Sequence, residues 1–143
     1  MMNTWMRPWR ASDSQLPQES THSASFRTFR RIDIPSVRRF AVEFGARAGI
    51  GTARLADFVL AVNEAAACAV GSGTSTAKLR LWMRGQRAFC TVSGDSAPHQ
   101  GPGGGQQGDV EALRRWLLNQ LCDYVSVQSG PDGVQVLLSI TVI

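Results

Sequence analysis

The segment between Gly51 and Gly71 constrains the fold of this chain most, because its apolar residues recur at the spacing of an α-helix. At about 100° of rotation per residue, the larger apolar side chains collect on one face. That face comprises Leu55, Phe58, Val59, Val62, Ala66 and Val70. A helix buries such a face, so the segment from Thr52 to Val70, with Thr52 as its N-cap, is predicted to be a core helix.

The opposite face of this helix carries Asp57, Ala61, Glu64 and Cys68. It is neither strongly charged, as a solvent-exposed face usually is, nor fully apolar. Small residues surround two carboxylates. We therefore expect either a ligand or another element of the chain to lie against this face.

The rest of the first half predicts a strand and a helix before this segment and a hairpin after it. The predicted first strand alternates apolar and polar residues until Pro35, and Ser36 is a suitable N-cap for the helix that follows. The predicted ranges are a strand at Ser25 to Ile34, a helix at Val37 to Ala48, and strands at Thr76 to Met83 and Arg87 to Val92 joined by Arg84-Gly85-Gln86.

The second half begins with a glycine-rich stretch, Gly94 to Gly108, that predicts a long flexible loop. Such loops often serve as lids or binding loops. The elements predicted after it are a helix capped by Asp109, a strand at Tyr124 to Gln128, a turn at Ser129 to Gly133 and a strand at Val134 to Val142. This order of elements predicts an α+β fold, in which helices pack on one face of a single-layer mixed, mostly antiparallel sheet.

The 143 residues fit one domain, which we assign to residues 25–143. Residues 1–24 are rich in Ser, Gln, Pro and Thr without a sustained period, and they predict a flexible N-terminal tail. Trp5 and Trp9 are exceptions within this tail, because exposed indoles are unfavourable in water. For these two residues, docking on the chain's own domain is favoured over docking on a partner.

The cysteines and histidines argue against a metal site. Cys68, Cys90 and Cys122 are widely spaced and form no CxxC pair, which favours reduced, buried thiols over disulfides or zinc. His22 and His99 fall in predicted loops. The sequence contains no apolar stretch of about 18 residues, which a membrane-spanning helix would need. The basic N-terminus is not followed by the apolar core of a secretory signal. We therefore expect a cytoplasmic protein.

The net charge of +4 comes from the N-terminal third of the sequence. Residues 1–40 hold seven arginines and three acidic residues, whereas the remainder carries eight basic and eight acidic residues. The densest basic cluster is Arg27, Arg30, Arg31, Arg38 and Arg39. It lacks interleaved aromatic residues and any known reader motif, so a solvated face or an arginine-rich protein interface is favoured over nucleic-acid binding. A DNA-associated regulator is the weaker alternative.

The run DFVLAVNEAAACAVGSG resembles the N box of the GHKL ATPase superfamily, specifically its anti-sigma-factor or serine-kinase branch, which is abundant in actinobacteria. That branch reads E-x-x-x-N-A-x-x-H-G on a helix, and its His-Gly is Ser72-Gly73 here. The run WLLNQLCDYVSVQSGPDGVQVLL is similar to the family's closing helix and hairpin, and TVSGDSAPHQGPGGG lies where the family has its first glycine box and nucleotide lid. Over residues 25–143, the resemblance implies a histidine-kinase-like ATPase domain with a Bergerat-like α/β sandwich.

The resemblance implies a nucleotide site and roles for several residues. Glu64 matches the glutamate that activates water or a protein hydroxyl, and it would be the catalytic residue. Asp95 is the nearest match to the aspartate that accepts a hydrogen bond from the exocyclic amine of adenine. Gly105 and Gly108 lie where a displaced glycine loop would approach phosphates, and Arg114 would neutralise phosphate charge.

Two departures from the family put nucleotide turnover in doubt. Cys68 takes the place of an asparagine that ligates Mg²⁺ at the nucleotide site, and a thiol is a poor ligand for this hard ion. The family also opens its last helix with a G-x-G-L box, whose glycines let backbone amides approach phosphates. Alignment through Trp116 places Ala112 and Arg114 on those glycines.

The expected function is therefore that of a regulatory protein-binding module resembling an anti-sigma factor. It would sequester a partner such as a sigma factor or an antagonist (STAS-like) domain, with the basic strand and first helix as docking surface. We expect no Mg-ATP turnover and no required cofactor, whereas ATP binding and homodimer formation stay open. The alternative is an active ATP-dependent serine protein kinase that phosphorylates an antagonist domain, with Glu64 as base.

Overall fold

The computed structural model describes residues 24–71, 75–96 and 104–142. Five strands and three α-helices follow one another within these ranges, with a 3₁₀ turn at Arg31–Asp33. They are β1 (Ser25–Arg30), α1 (Ile34–Ala48), α2 (Thr52–Ala69), β2 (Thr76–Arg84), β3 (Arg87–Gly94), α3 (Gly104–Leu121), β4 (Tyr124–Gly130) and β5 (Gly133–Thr141). Residues 1–23 of the predicted N-terminal tail lie outside the described residues.

The strands form one sheet in the order β1-β2-β3-β5-β4, and every pairing between these strands is antiparallel. Gly85 and Gln86 turn the β2–β3 hairpin, as predicted, and Gly85 adopts φ 61°, which hairpin turns of this length require. The β4–β5 turn is tighter than predicted, because both strands extend to Gly130 and Gly133.

The three helices pack on one face of the sheet. Alternate residues of each central strand point towards them, and the core gathers around α2. Fully buried core side chains are Phe58, Val62, Leu79, Leu81, Val92, Leu118, Val136, Leu138 and Ile140. The α+β fold with helices on one face of a single sheet is therefore confirmed. Across the ranges described, no helix is both long enough and apolar enough to cross a bilayer.

The start of α1 differs from the prediction. The first strand ends at Arg30, and the helix begins at Ile34 with Asp33 as N-cap, so Ser36 is not the cap. Pro35 was predicted to end the strand, but it lies in the first turn of the helix, where its missing N–H costs nothing. α2 begins at Thr52, as expected, although its N-cap is Gly51.

α3 begins at Gly104, five residues before Asp109, so Asp109 is not its N-cap. The predicted loop from Gly94 to Gly108 is therefore shorter: Gly94 ends β3, residues 97–103 lie outside the described ranges, and the backbone from Gly104 onwards is helical. On α3, Leu118 is buried, whereas Leu113 is exposed.

Candidate functional site

α3 packs against the face of α2 that carries Ala61, Glu64 and Cys68. The sequence predicted that either a ligand or another element of the chain would lie there. Ala61 is 0% exposed and Cys68 is 3% exposed. The charged residues that influence the Cys68 thiol come mainly from α3, namely Glu111, Arg114 and Arg115, with Glu64 from α2 itself. Of the two predicted possibilities, the one observed on this face of α2 is therefore another element of the chain, α3.

Burial raises the pKa of the Cys68 thiol to about 11. The negative charge of Glu111 acts in the same direction, and the cationic charges of Arg114 and Arg115 oppose it. Cys68 is thus a neutral thiol beneath a helix at neutral pH. Magnesium requires oxygen ligands in near-octahedral geometry, so the donor at this position does not fit the ion.

Glu64 is held between two partners. Its Oε1 lies 3.5 Å from Nε of Arg114, and its Oε2 accepts a hydrogen bond from Nδ2 of Asn63 at 3.0 Å. Asn63 Oδ1 in turn accepts a hydrogen bond from Nη1 of Arg38 at 2.9 Å. A polar chain of four residues therefore links α1, α2 and α3.

The Arg114–Glu64 contact is an ion pair without a hydrogen bond. Nε of Arg114 is buried, and no acceptor among the described residues meets hydrogen-bond geometry with it. The side chains of Arg114 and Glu64 are 25% and 18% exposed, so solvent screens their attraction only in part. The resemblance implied that Arg114 would neutralise a phosphate and that Glu64 would be catalytic. In the structure, Arg114 instead pairs with Glu64.

The glycine positions predicted at the phosphates lie at the N-terminal end of α3. Gly105 and Gly108 belong to the beginning of the helix, which starts at Gly104. Ala112 and Arg114 lie inside the helix, where backbone N–H groups bond to carbonyls one turn earlier. Within α3, the backbone N–H groups without an intrahelical acceptor are therefore those of the first turn, near Gly105, and not those of Ala112 and Arg114.

Asp95 is positioned by a close backbone crossing. A Cβ on Gly94 would collide with the carbonyl oxygen of Ala69, and the backbone N–H of Ser96 donates to that same oxygen at 3.1 Å. The carboxylate of Asp95 packs against Gly71, since its Oδ1 lies 2.6 Å from the place of a Cβ there. The glycine before Asp95 is thus required by the end of α2.

Asp95 opens towards a depression of about 720 Å³ at the ends of β2 and β3 and beside the β4–β5 hairpin. Most of the residues that line it are polar, among them Lys78, Ser93 and Asp132. Neither Glu64, Cys68 nor Arg114 belongs to that lining. The structure brings Glu64, Cys68 and Arg114 together and places Asp95 apart from them, at this depression.

A second concavity is a groove of about 420 Å³ between α1 and α2. Its lining consists of Arg38, Val42, Thr52, Leu55, Ala56, Val59, Leu60 and Asn63. Val42 is 44% exposed and Leu60 is 41% exposed, so the groove presents aliphatic surface to solvent. Arg38 and Asn63 belong to both this lining and the polar chain that ends at Arg114.

The predicted basic cluster is largely engaged within the molecule. The guanidinium of Arg27 lies 5.6 Å from the centroid of the Phe40 ring. The other contacts are Arg30 to Asp33 at 3.6 Å, Arg31 Nη2 to the carbonyl of Val70 at 2.9 Å, and Arg38 to Asn63. Arg39 is exposed on α1. These contacts account for much of the cluster as local structure.

Sequence reasoning missed Asn63, Val42 and Leu60. Asn63 directly precedes Glu64, the residue that the family resemblance identified. Its position in the sequence does not indicate that it connects Arg38 of α1 to Glu64 of α2. Val42 and Leu60 offered a visible indication, because each is a large apolar residue outside the apolar spacing that predicts the buried face of its helix. Two such residues on neighbouring helices are what define the groove.

Within the described ranges, no cluster of three or more His, Cys, Asp and Glu side chains is arranged to hold a metal ion. The sequence matches no protein-family model, and no curated protein matches it.

Proposed function

We propose that the chain is a regulatory protein-binding module, resembling an anti-sigma factor, that acts in the cytoplasm by sequestering a sigma factor or an antagonist domain. The observation that supports this best is the groove between α1 and α2, where Val42 and Leu60 expose aliphatic surface. Exposed apolar patches bordered by polar residues commonly mark protein-binding sites.

The lining of the groove indicates the chemistry of its occupant. Leu55 and Val59 contribute further aliphatic surface, and Arg38 borders it, with Arg39 exposed on the same helix. Grooves of this kind accept the apolar face of an amphipathic helix. The expected partner segment is therefore a helix with aliphatic anchors and acidic residues at its edge.

Two observations support a loss of Mg-ATP turnover as part of this proposal. Arg114 pairs with Glu64 at 3.5 Å, which opposes the use of the carboxylate as a base. Cys68 is a buried neutral thiol at the position of the family's metal-ligating amide. Calorimetric titration with ATP, with and without Mg²⁺, tests this part: we expect no tightening by the metal, and strong metal-dependent binding would contradict it.

Partner capture is tested with purified sigma factors and antagonist domains from the same genome. We expect one of them to bind, and Arg38→Glu with Arg39→Glu, or Leu60→Asp alone, to weaken its binding at least about tenfold. Arg84→Glu is the matched control, because Arg84 is exposed at the β2–β3 hairpin, away from the groove. Equal affinity in the groove variants and the control would rule this surface out.

An active serine protein kinase is the competing function. It is favoured by the partial exposure of both Glu64 and Arg114, which leaves the ion pair open to competition from a γ-phosphate. Incubation with radiolabelled ATP, Mg²⁺ and antagonist domains distinguishes the two functions. Transfer that disappears in Glu64→Ala would support the kinase, whereas capture of an antagonist domain without transfer would support the binding module.

A further inference from the structure

The face of the sheet opposite the helices carries its own apolar cluster. The strand register places Trp82 opposite Phe89, Phe89 opposite Ser139 and Ser139 opposite Tyr124, so these side chains share one face. The Trp82 and Phe89 rings stack with centroids 5.2 Å apart and an interplanar angle of 7°. Trp82, Phe89 and Leu137 form one buried apolar cluster, which we call the second-face cluster, and Tyr124 packs against it.

The second-face cluster is buried as deeply as the helix-side core. Trp82 and Leu137 are 0% exposed, Phe89 is 4% exposed and Ser139 is 1% exposed. Among the described residues, all three helices pack on the other face, and none of their side chains belongs to this cluster. A sheet face without a covering layer leaves large side chains exposed to water, so an additional segment is required to cover it.

The chain itself leads to this face. Ala24, the residue immediately before β1, packs against the second-face cluster. The 23 residues that precede it would span about 75 Å when extended, whereas five strands are only about 19 Å wide. This segment holds Trp5 and Trp9, two of the four tryptophans in the protein, together with Leu16.

We propose that residues 1–23 pack on this face of the sheet and cover Trp82, Phe89 and Leu137, with Trp5 and Trp9 as the main anchors. The two indoles then lose their contact with water together with the cluster that they cover. The buried Nε1 of Trp82 has no hydrogen-bond acceptor among the described residues, which leaves a donor available on this face. The N-terminal segment is thus part of the core of the domain.

Acrylamide quenching of Trp82 fluorescence in the full chain tests the proposal. Trp5→Phe, Trp9→Phe and Trp116→Phe together leave Trp82 as the only tryptophan and preserve apolar bulk in the segment. We expect weak quenching in this protein and severalfold stronger quenching when positions 5 and 9 carry Trp5→Ser and Trp9→Ser instead. The matched control adds Gln15→Ser and Gln18→Ser to the phenylalanine set, and it is expected to leave the quenching unchanged.

Sedimentation velocity over a dilution series identifies the occupant. Protection of Trp82 that persists in the monomer, together with the effect of the serine variants, supports the N-terminal segment. Protection that disappears as a dimer dissociates would overturn the proposal and assign the face to a second copy of the chain. Strong quenching in every protein, or equal quenching in the serine variants and the control, would also overturn it.

Discussion

Nε of Arg114 on α3 lies 3.5 Å from Oε1 of Glu64 on α2. Glu64 is the residue that the family resemblance would make catalytic, and the positive charge closest to it comes from within the chain. Buried or half-buried ion pairs contribute little net stability, but removal of one partner leaves a costly unpaired charge. The pair therefore fixes α3 against α2, and the positive charge of Arg114 balances the negative charge of the Glu64 carboxylate.

A double-mutant cycle with Glu64→Gln and Arg114→Met measures this pair. We expect a coupling free energy of about 1 kcal/mol, because the two groups are in contact and only partly screened. Urea denaturation of the four proteins gives the values. Arg115→Met is the control, since Arg115 is exposed on the same helix and its cycle with Glu64→Gln should be additive within about 0.5 kcal/mol. Additivity in the Arg114 cycle would mean that the ion pair does not hold α3.

The buried thiol of Cys68 predicts a loss of stability at alkaline pH. In the unfolded chain the thiol ionises with a pKa of 9.0, whereas burial raises its pKa to about 11 in the folded protein. The unfolded state therefore binds fewer protons between these two values, and the free energy of unfolding falls as pH rises. The contribution is on the order of 2 kcal/mol across this range.

Urea denaturation from pH 8 to 11 checks the sign, with Cys68→Ala compared to the unaltered chain. The alanine variant is expected to lose stability less steeply with rising pH. Cys122→Ala is an informative comparison, because burial raises the pKa of Cys122 from 9.0 to about 12, so its contribution is lost over a wider range that begins at the same pH. Identical slopes in Cys68→Ala and the unaltered chain would show that Cys68 is already accessible to solvent.

Much of the fold could be predicted because its elements have visible periods. The apolar spacing of Thr52 to Val70 gave α2 to within a residue, and alternation gave all five strands. The start of α3 was missed because glycine disfavours helix, and Gly104, Gly105 and Gly108 hide a helical turn inside a loop-like composition.

The candidate site was predictable only in part. Glu64 and Cys68 were identified from their shared helix face, which a period of 3.6 residues determines. The sequence offered no way to choose between a ligand and α3 as the cover of that face, because the choice depends on contacts between residues more than forty positions apart. The link from Arg38 through Asn63 to Glu64 is likewise a property of three-dimensional packing.

Gly94 predicts a strong steric effect. A Cβ there would collide with the carbonyl oxygen of Ala69 and approach the Cβ of Ala77 at 3.0 Å, so Gly94→Ala must displace either β3 or the end of α2. We expect a loss of about 1–3 kcal/mol, as overpacking in tight sites usually costs.

Gly130→Ala is the control for Gly94→Ala, because a Cβ at Gly130 meets no heavy atom within 4 Å and its φ is not positive. Its stability should change by no more than about 0.5 kcal/mol. Thermal and urea denaturation of the two variants measure the difference. Equal stability would mean that the crossing of β3 and α2 relaxes freely, and Asp95 would then not be fixed by it.

The environment of Asp123 predicts that stability falls as pH is lowered, whereas the buried thiol of Cys68 predicts that stability falls as pH is raised. The hydrogen bond from the Thr141 hydroxyl lowers the pKa of this carboxyl below 3.8, and the backbone N–H of Thr141 adds a second hydrogen bond at 2.6 Å. A lowered pKa contributes stability above pH 3.8 that is lost as pH falls through the folded value. Thr141→Val removes the hydroxyl donor and keeps the backbone donor.

In Thr141→Val, the pKa of Asp123 should rise, and the stability difference from the unaltered chain should be larger at neutral pH than in acid. Titration of the Asp123 carboxyl by NMR measures the pKa, and urea denaturation at neutral and acidic pH measures the stability. Thr141→Ser keeps a hydroxyl and should retain most of the lowered pKa. A stability difference that does not depend on pH would show that the valine acts through packing at the end of β5 and not through the Asp123 carboxylate.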